Sequence, residues 1–299
     1  MGTVRFVSLK DLVFTDTGGE FKRPEAAFRE SVPGDPERYH LYVSGACPWC
    51  HRAMIMRELA GLNDRLGMSF VAPYRDENGW EFSGGEYTDP VNGWRYLSSA
   101  YELTDPSYDG HVSAPVLWDK EEGRIAANES EDLVVLFDKW GDTGLYPEDK
   151  REEIDQINAR IYTYFNNGVY RTGFARSQKA YEKGFDGIFE TLDWAEEILS
   201  ERKFLLGNEL TIADIRFFPT LVRFDTVYYV HFRANGKLIK QYENLWSYAR
   251  SLYQLPGIAK TVAWDQIKTH YYTTHDELNP KRIIPKGPLG EDWDESSGR

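Results

Sequence analysis

The stretch that decides the fold reads Tyr39-His40-Leu41-Tyr42-Val43-Ser44-Gly45-Ala46-Cys47-Pro48-Trp49-Cys50-His51-Arg52. An apolar, β-prone run passes through small residues into a cysteine, a proline and a helical pattern. Pro48 suits the first helical position, where a missing N–H costs nothing. Trp49, Ala53, Met56 and Ala60 recur at helical spacing with Ile55 and Leu59 beside them, and Gly61 suits a left-handed stop. The pattern predicts a strand over 39–44 and a helix over 48–60. Cys47 then falls at the N-cap, and Cys50 follows one turn on, along the same face. A free thiol has a pKa of about 8.5, and the unpaired N–H groups and partial positive charge of a helix start favour its anion. Cys47 is therefore the candidate nucleophile and Cys50 the candidate resolving thiol.

These are the only two cysteines in the chain. One pair across three residues staples nothing, so a secreted disulfide framework is disfavoured. A zinc site is disfavoured as well. Cys47, Cys50 and His51 crowd one turn, whereas a structural site takes four spaced ligands. Two core cysteines are the plainer reading, but the order Cys-Pro-aromatic-Cys after a strand points to a thioredoxin-type fold.

Working outward, Met68 to Pro73 reads as a second strand. The long stretch from Tyr74 to His111 is rich in Gly, Asp, Tyr and Trp; its aromatics favour order, with a short helix over Tyr96–Leu103. Ala114 to Trp118 reads as a strand opened by Pro115, Arg124 to Ala127 as its hairpin partner, and Ser130 to Trp140 as an amphipathic helix. The order is β-α-β then β-β-α. Beyond a link at 141–149 the pattern is helical, over 150–166, 174–200, 211–233, 241–253 and 256–266. An α/β half followed by an all-α half implies two domains, 1–145 and 150–299. Thr211-Ile212-Ala213-Asp214 fits a capping box with aspartate as its acid, a structural motif.

With 299 residues, 41% hydrophobic and 15% aromatic, the chain can build a sizeable core. Its net charge of −13 argues against nucleic acid and anionic membranes. Residues 1–14 show no apolar run after a basic start, Phe6 stands where a myristoylation signal wants Ser or Thr, and no stretch is long and apolar enough to span a membrane. The expectation is a cytoplasmic protein with reduced thiols and no metal, and with a loosely ordered tail over 285–299.

Two further motifs bear on chemistry. In a thioredoxin-like domain a proline at position 115 is typically cis and faces the thiol, leaving the backbone of Ala114 to pair with an extended, peptide-like ligand. Asn128-Glu129-Ser130 opens a helix. Its N–H groups and the Ser130 hydroxyl suit an anion, and Glu129 suits an ammonium. Together they describe an amino-acid end, such as the γ-glutamyl end of glutathione. A capped helix with acid in its first turn satisfies the same residues equally well.

Taken together, the chain resembles the xi class of glutathione transferases, the glutathionyl-hydroquinone reductases. The resemblance runs from about Phe28 to Pro288. It rests on Tyr-His-Leu-Tyr-Val-Ser before Cys47, Cys-Pro-Trp-x-His-Arg at 47–52, Asn-Glu-Ser at 128–130, Asn-Asn-Gly-Val-Tyr at 166–170, Ala-Asp-Ile-Arg at 213–216 and His-Tyr-Tyr at 270–272. It implies a thioredoxin-like N-terminal domain, a helical C-terminal transferase domain, commonly a homodimer, and glutathione as thiol cosubstrate. It further implies that Cys47 attacks the sulfur of a glutathionyl-hydroquinone. Trp80, Ala114, Pro115, Glu129 and Ser130 would hold the thiol ligand, and Tyr170 and Tyr271, with Tyr272 alongside, the hydroquinone oxygens. The family usually has alanine where this chain has Cys50. That departure leaves open an internal Cys47–Cys50 resolution, and another low-molecular-weight thiol such as mycothiol. A glutaredoxin-like disulfide reductase and a non-enzymatic binding protein on the same scaffold remain the alternatives.

Overall fold

The computed structural model describes residues 15–30, 32–288 and 292–299. The start of the chain, on which the leader and myristoylation expectations fall, lies outside the described residues. The chain divides into two compact units. The first comprises Pro24–Thr143 together with Thr261–Thr274; the second comprises the described residues up to Arg23, Gly144–Lys260 and the residues from His275 onward.

The first unit is built on a four-stranded sheet in the order β2-β1-β5-β6. Strand β1 (Tyr39–Val43) is buried along its whole length, so its apolar run does not alternate. It runs parallel to β2 (Gly67–Phe70), with Leu41 opposite Met68, and antiparallel to β5 (Val116–Asp119), with Leu41 opposite Leu117. Strand β6 (Arg124–Ala127) completes the sheet as the antiparallel hairpin partner of β5. Helix α1 (Pro48–Leu59) follows β1 and packs against a later helix of this unit, Ser130–Gly141. Their ends approach so closely that a Cβ on Gly141 would sit 2.5 Å from Cβ of Ala60.

The long stretch after β2 is ordered. It forms a small hairpin of β3 (Arg75–Asp76) and β4 (Gly79–Trp80), then α2 (Ser98–Thr104), so that the helix Ser130–Gly141 is α3. Its loop wraps a buried carboxylate. Asp89 accepts hydrogen bonds from the Tyr42 hydroxyl (2.7 Å) and from the N–H groups of Val91 (3.0 Å), Asn92 (3.2 Å) and Trp94 (3.0 Å). Trp94 in turn meets Trp118 edge to face at 4.7 Å.

The second unit is helical: α4 (Arg151–Ile161), α5 (Gly168–Gly173), α6 (Gln178–Glu201), α7 (Ile212–Arg223), the one-turn α8 (Tyr229–His231) and α9 (Glu243–Tyr253). The helices expected over 150–166 and 211–233 are each interrupted by a π-helical turn, at Tyr162–Asn166 and Phe224–Tyr228. Such a turn inserts one residue, which a search for a 3.6-residue period passes over. The capping box at the start of α7 is present: Asp214 accepts from the Thr211 N–H (2.9 Å), and it also receives the Leu205 N–H (3.0 Å) and the Tyr248 hydroxyl (2.7 Å). Where it is described beyond residue 291, at 292–299, the tail expected to be loose is pinned. Trp293 packs edge to face on Trp246 at 4.7 Å, and Arg299 donates to the Leu199 carbonyl at the end of α6 (2.5 Å).

The expected helix at 256–266 is replaced by one 3-10 turn, Ala259–Thr261, after which α10 runs from Trp264 to Thr274. Pro256 and Gly257 (φ +85°) end the preceding helical path, and Ile258, Ala259 and Val262 only imitate a helical stripe. Helix α10 belongs to the first unit, not to the helical one with which its periodicity grouped it. The His270 ring donates to the Pro73 carbonyl (2.8 Å), and Thr274 receives the Arg75 N–H (3.4 Å).

Candidate active site

Cys47 caps α1 in extended backbone conformation. Its Sγ accepts the Cys50 N–H at 3.5 Å and donates to the Ala114 carbonyl at 3.6 Å. The Ala114–Pro115 bond is cis, the isomer expected. Neither cysteine is in a disulfide; Cys47 is half-buried, whereas Cys50 is fully buried and its Sγ accepts the Ser44 N–H at 3.3 Å. Just before the thiol, Gly45 is required by close approach. A Cβ there would lie 2.4 Å from Gln266 Oε1 and 2.9 Å from Ala263 Cβ. Glycine thus lets α10 close over the turn that presents the thiol.

Three consecutive residues before Pro115 are each held by a different element. The Val112 carbonyl accepts from Arg75 Nη2 (3.2 Å). The Tyr101 hydroxyl donates to the Ser113 carbonyl (2.8 Å) and accepts from the Ser113 N–H (3.1 Å) and from Asn128 Nδ2 (3.0 Å). The Ala114 carbonyl faces the Cys47 thiol. Burial raises the Tyr101 pKa, so the phenol stays neutral and able to donate. These contacts fix the segment that leads into the cis bond.

At the start of α3 the Glu129 carboxylate caps its own helix through the Glu131 N–H (3.1 Å) and also accepts from the Ser130 hydroxyl (3.3 Å). Trp80 is buried and stacks on His270 with ring centroids 5.0 Å apart. Tyr271 and Tyr272 follow on α10, both buried; Tyr271 meets His270 edge-on at 5.5 Å, and burial pushes the Tyr272 phenol up to about 12. Both tyrosines fall in the first unit with Cys47, Cys50, Trp80, Ala114, Pro115, Glu129 and Ser130. Tyr170 falls in the second unit, on α5, between Phe232 (5.4 Å) and Tyr228 (6.1 Å), with the Arg23 guanidinium 4.5 Å from its ring centre.

Sequence reasoning missed Arg75, Tyr101, Asn128 and His270 as parts of this site. Asn128 and His270 lay inside quoted motifs, which was signal enough to name them. Arg75 and Tyr101 lie in the long irregular stretch, where no periodicity marks what a side chain reaches. Among the described residues no cluster of three or more His, Cys, Asp or Glu could hold a metal, and no helix is long and apolar enough to cross a membrane.

Residues 178–251 match the family model of the glutathione S-transferase C-terminal domain. Over 284 residues the chain is 46% identical to the glutathionyl-hydroquinone reductase PcpF of Sphingobium chlorophenolicum, covering 91% of each chain. Its fold matches the glutathione-bound structure of YqjG, a glutathione transferase homologue from Escherichia coli, with TM-score 0.85 and 44% identity over 88% of each chain. It also matches the glutathione transferase Xi of Phanerochaete chrysosporium, with TM-score 0.88 and 41% identity over 92% of this chain and 95% of that one.

Proposed function

This chain belongs to the glutathionyl-hydroquinone reductases, the xi class of glutathione transferases, and on that premise we propose that it removes a thiol group from S-conjugated hydroquinones through Cys47. The observation that carries the reading is Cys47 Sγ at the mouth of α1, receiving a helix N–H and facing the carbonyl before a cis-proline. The Cys47 thiolate attacks the sulfur of the conjugate. A Cys47–S–S bond forms, the ring carbon–sulfur bond breaks, and its electron pair leaves with the ring carbon, which takes up a proton to give the hydroquinone. A second thiol then attacks the mixed disulfide, giving a free disulfide and restoring Cys47. Neutral phenols suit the hydroquinone oxygens because a hydroxyl both donates and accepts. Burial keeps Tyr272 in that form. Tyr271 and Tyr170 are assigned the same role by the family motifs.

The thiol ligand we assign is glutathione, its peptide-like backbone meeting Ala114 and its amino-acid end the start of α3. Mycothiol is the other candidate thiol. Cys50 stands one turn from Cys47 with its N–H on the Cys47 sulfur, which supports an internal second step through a Cys47–Cys50 disulfide. A homodimer and a cytoplasmic location complete the proposal on family resemblance; light scattering in solution reads the first.

Mass spectrometry after addition of glutathionyl-hydroquinone should show a thiol adduct on Cys47 or a Cys47–Cys50 disulfide. Cys47→Ala should lower turnover at least about a thousandfold; turnover that persists would refute the assignment. Cys50→Ala should keep substantial activity with added glutathione. Complete loss would favour the disulfide-reductase alternative.

A further inference from the structure

Arg75 is a charged side chain beside the thiol site that the mechanism above leaves unused. Its guanidinium lies over the Trp80 ring, 5.3 Å from its centre, and Nη2 donates to the Val112 carbonyl at 3.2 Å. Its Nε is buried with no hydrogen-bond partner, and it forms no ion pair among the described residues. The adjacent carboxylate is hydrogen-bonded elsewhere: Asp76 accepts from the Asn78 N–H (2.8 Å) and the Tyr96 hydroxyl (3.4 Å). A buried guanidinium with no counter-ion costs free energy unless an anion is supplied.

The geometry names the anion. Arg75 holds the carbonyl of Val112 and Cys47 Sγ faces that of Ala114. Two residues of chain span at most about 7 Å, so both groups lie along one short segment. Ionising Cys47 forfeits its hydrogen bond to Ala114 and leaves a carbonyl oxygen against the anion, while the Cys50 N–H still donates to the sulfur. A nearby cation offsets that loss.

We propose that Arg75 is a positioning residue for the reaction, the counter-ion that holds Cys47 as thiolate between turnovers. Burial brings the guanidinium down to about 10, so it stays charged at neutral pH, and the anions that favour its charge are those of Cys47 and Asp76. Tyr101 on α2 is kept neutral by burial, and Asp76 is the carboxylate on Arg75's own strand. On the other elements of the unit, Glu129 caps α3, His51 on α1 bonds Thr261 (2.8 Å), Arg52 lies over Trp49 (4.5 Å), Cys50 receives the Ser44 N–H, and His270 on α10 bonds Pro73.

The proposal adds to the reading of Cys47 as nucleophile, but its test does not require turnover. The rate of Cys47 alkylation by iodoacetamide is followed against pH in Cys50→Ala backgrounds of wild type, R75Q, R75M and R75K. Loss of an opposite charge nearby shifts a pKa by about one unit or more, so R75Q and R75M should raise the midpoint by about that much and R75K should restore most of it. A midpoint unmoved in R75Q and R75M refutes the proposal. So does a raised KM for the conjugate with the midpoint in place, which would make Arg75 a handle for the ligand's carboxylate. If neither uncharged variant folds, the wild type decides: a midpoint at the ordinary thiol value of about 8.5 overturns the assignment. A failed proposal leaves the reductase reading standing, and a reductase assay that fails leaves the midpoint interpretable.

Discussion

Tyr101 shows how much a single buried hydroxyl can organise. It joins both backbone groups of Ser113 to Asn128, whose Oδ1 accepts the Phe28 N–H at 3.0 Å. Tyr101→Phe keeps the ring and removes the hydroxyl, leaving the Ser113 N–H and Asn128 Nδ2 without that acceptor. Unmade buried hydrogen bonds cost about 1–3 kcal/mol each, so urea unfolding should show a loss of at least about 1 kcal/mol. Because the segment before Pro115 would then be less fixed, KM for the conjugate should rise. Unchanged stability and KM would show that the hydroxyl holds nothing in place. Asp214 is a similar case away from the chemistry: fully buried, it accepts from the N–H groups of Thr211 and Leu205 and from the Tyr248 hydroxyl. Asp214→Ala orphans all three, and a loss of about 3 kcal/mol or more is expected by denaturant titration.

Among the elements, α10 has the most consequence for its size. It carries His270, Tyr271 and Tyr272, stacks His270 on Trp80, and lies over Gly45, two residues before the thiol. Gly45→Val therefore forces α10 away or moves the turn that bears Cys47. The expected outcome is a loss of roughly 1–3 kcal/mol from overpacking, with changed Cys47 alkylation kinetics, whereas a control such as Gly61→Asn, at a left-handed position open to solvent, should leave those kinetics alone. Equal alkylation profiles for Gly45→Val and wild type would show that the close approach does not set the thiol's position.

For the chain as a folding unit, acid sensitivity follows from two buried imidazoles. Burial pulls His40, in the sheet, and His231, in the helical unit, from 6.5 down to about 4. Between these values each is neutral when folded and protonated when unfolded, so the unfolded state binds more protons and stability rises with pH. The contribution is complete above about pH 6.5 and is lost as pH falls toward 4. A shift of this size is worth about 3 kcal/mol per histidine as an upper bound. The urea midpoint should fall between pH 7 and pH 5, and His40→Gln should flatten part of that slope; a slope indifferent to the substitution would remove His40 as its source.

The run from Tyr39 to Arg52 settled the strand, the capped helix and the place of Cys47, because cap, proline and apolar period are local properties that act within one or two turns. The strand order after it, the capping box at Thr211 and Asp214, and the motif residues at 128–130 were readable for the same reason. Arg75 beneath Trp80, Tyr101 on Ser113, and α10 closing over Gly45 came only with the fold. Each depends on groups brought together from distant points in the chain, and no periodicity records a contact of that kind. The two π turns and the shifted start of α10 escaped for a related reason: once helices are packed, neighbouring side chains decide where one extra residue is absorbed, and the amino-acid pattern of each segment is compatible with either outcome.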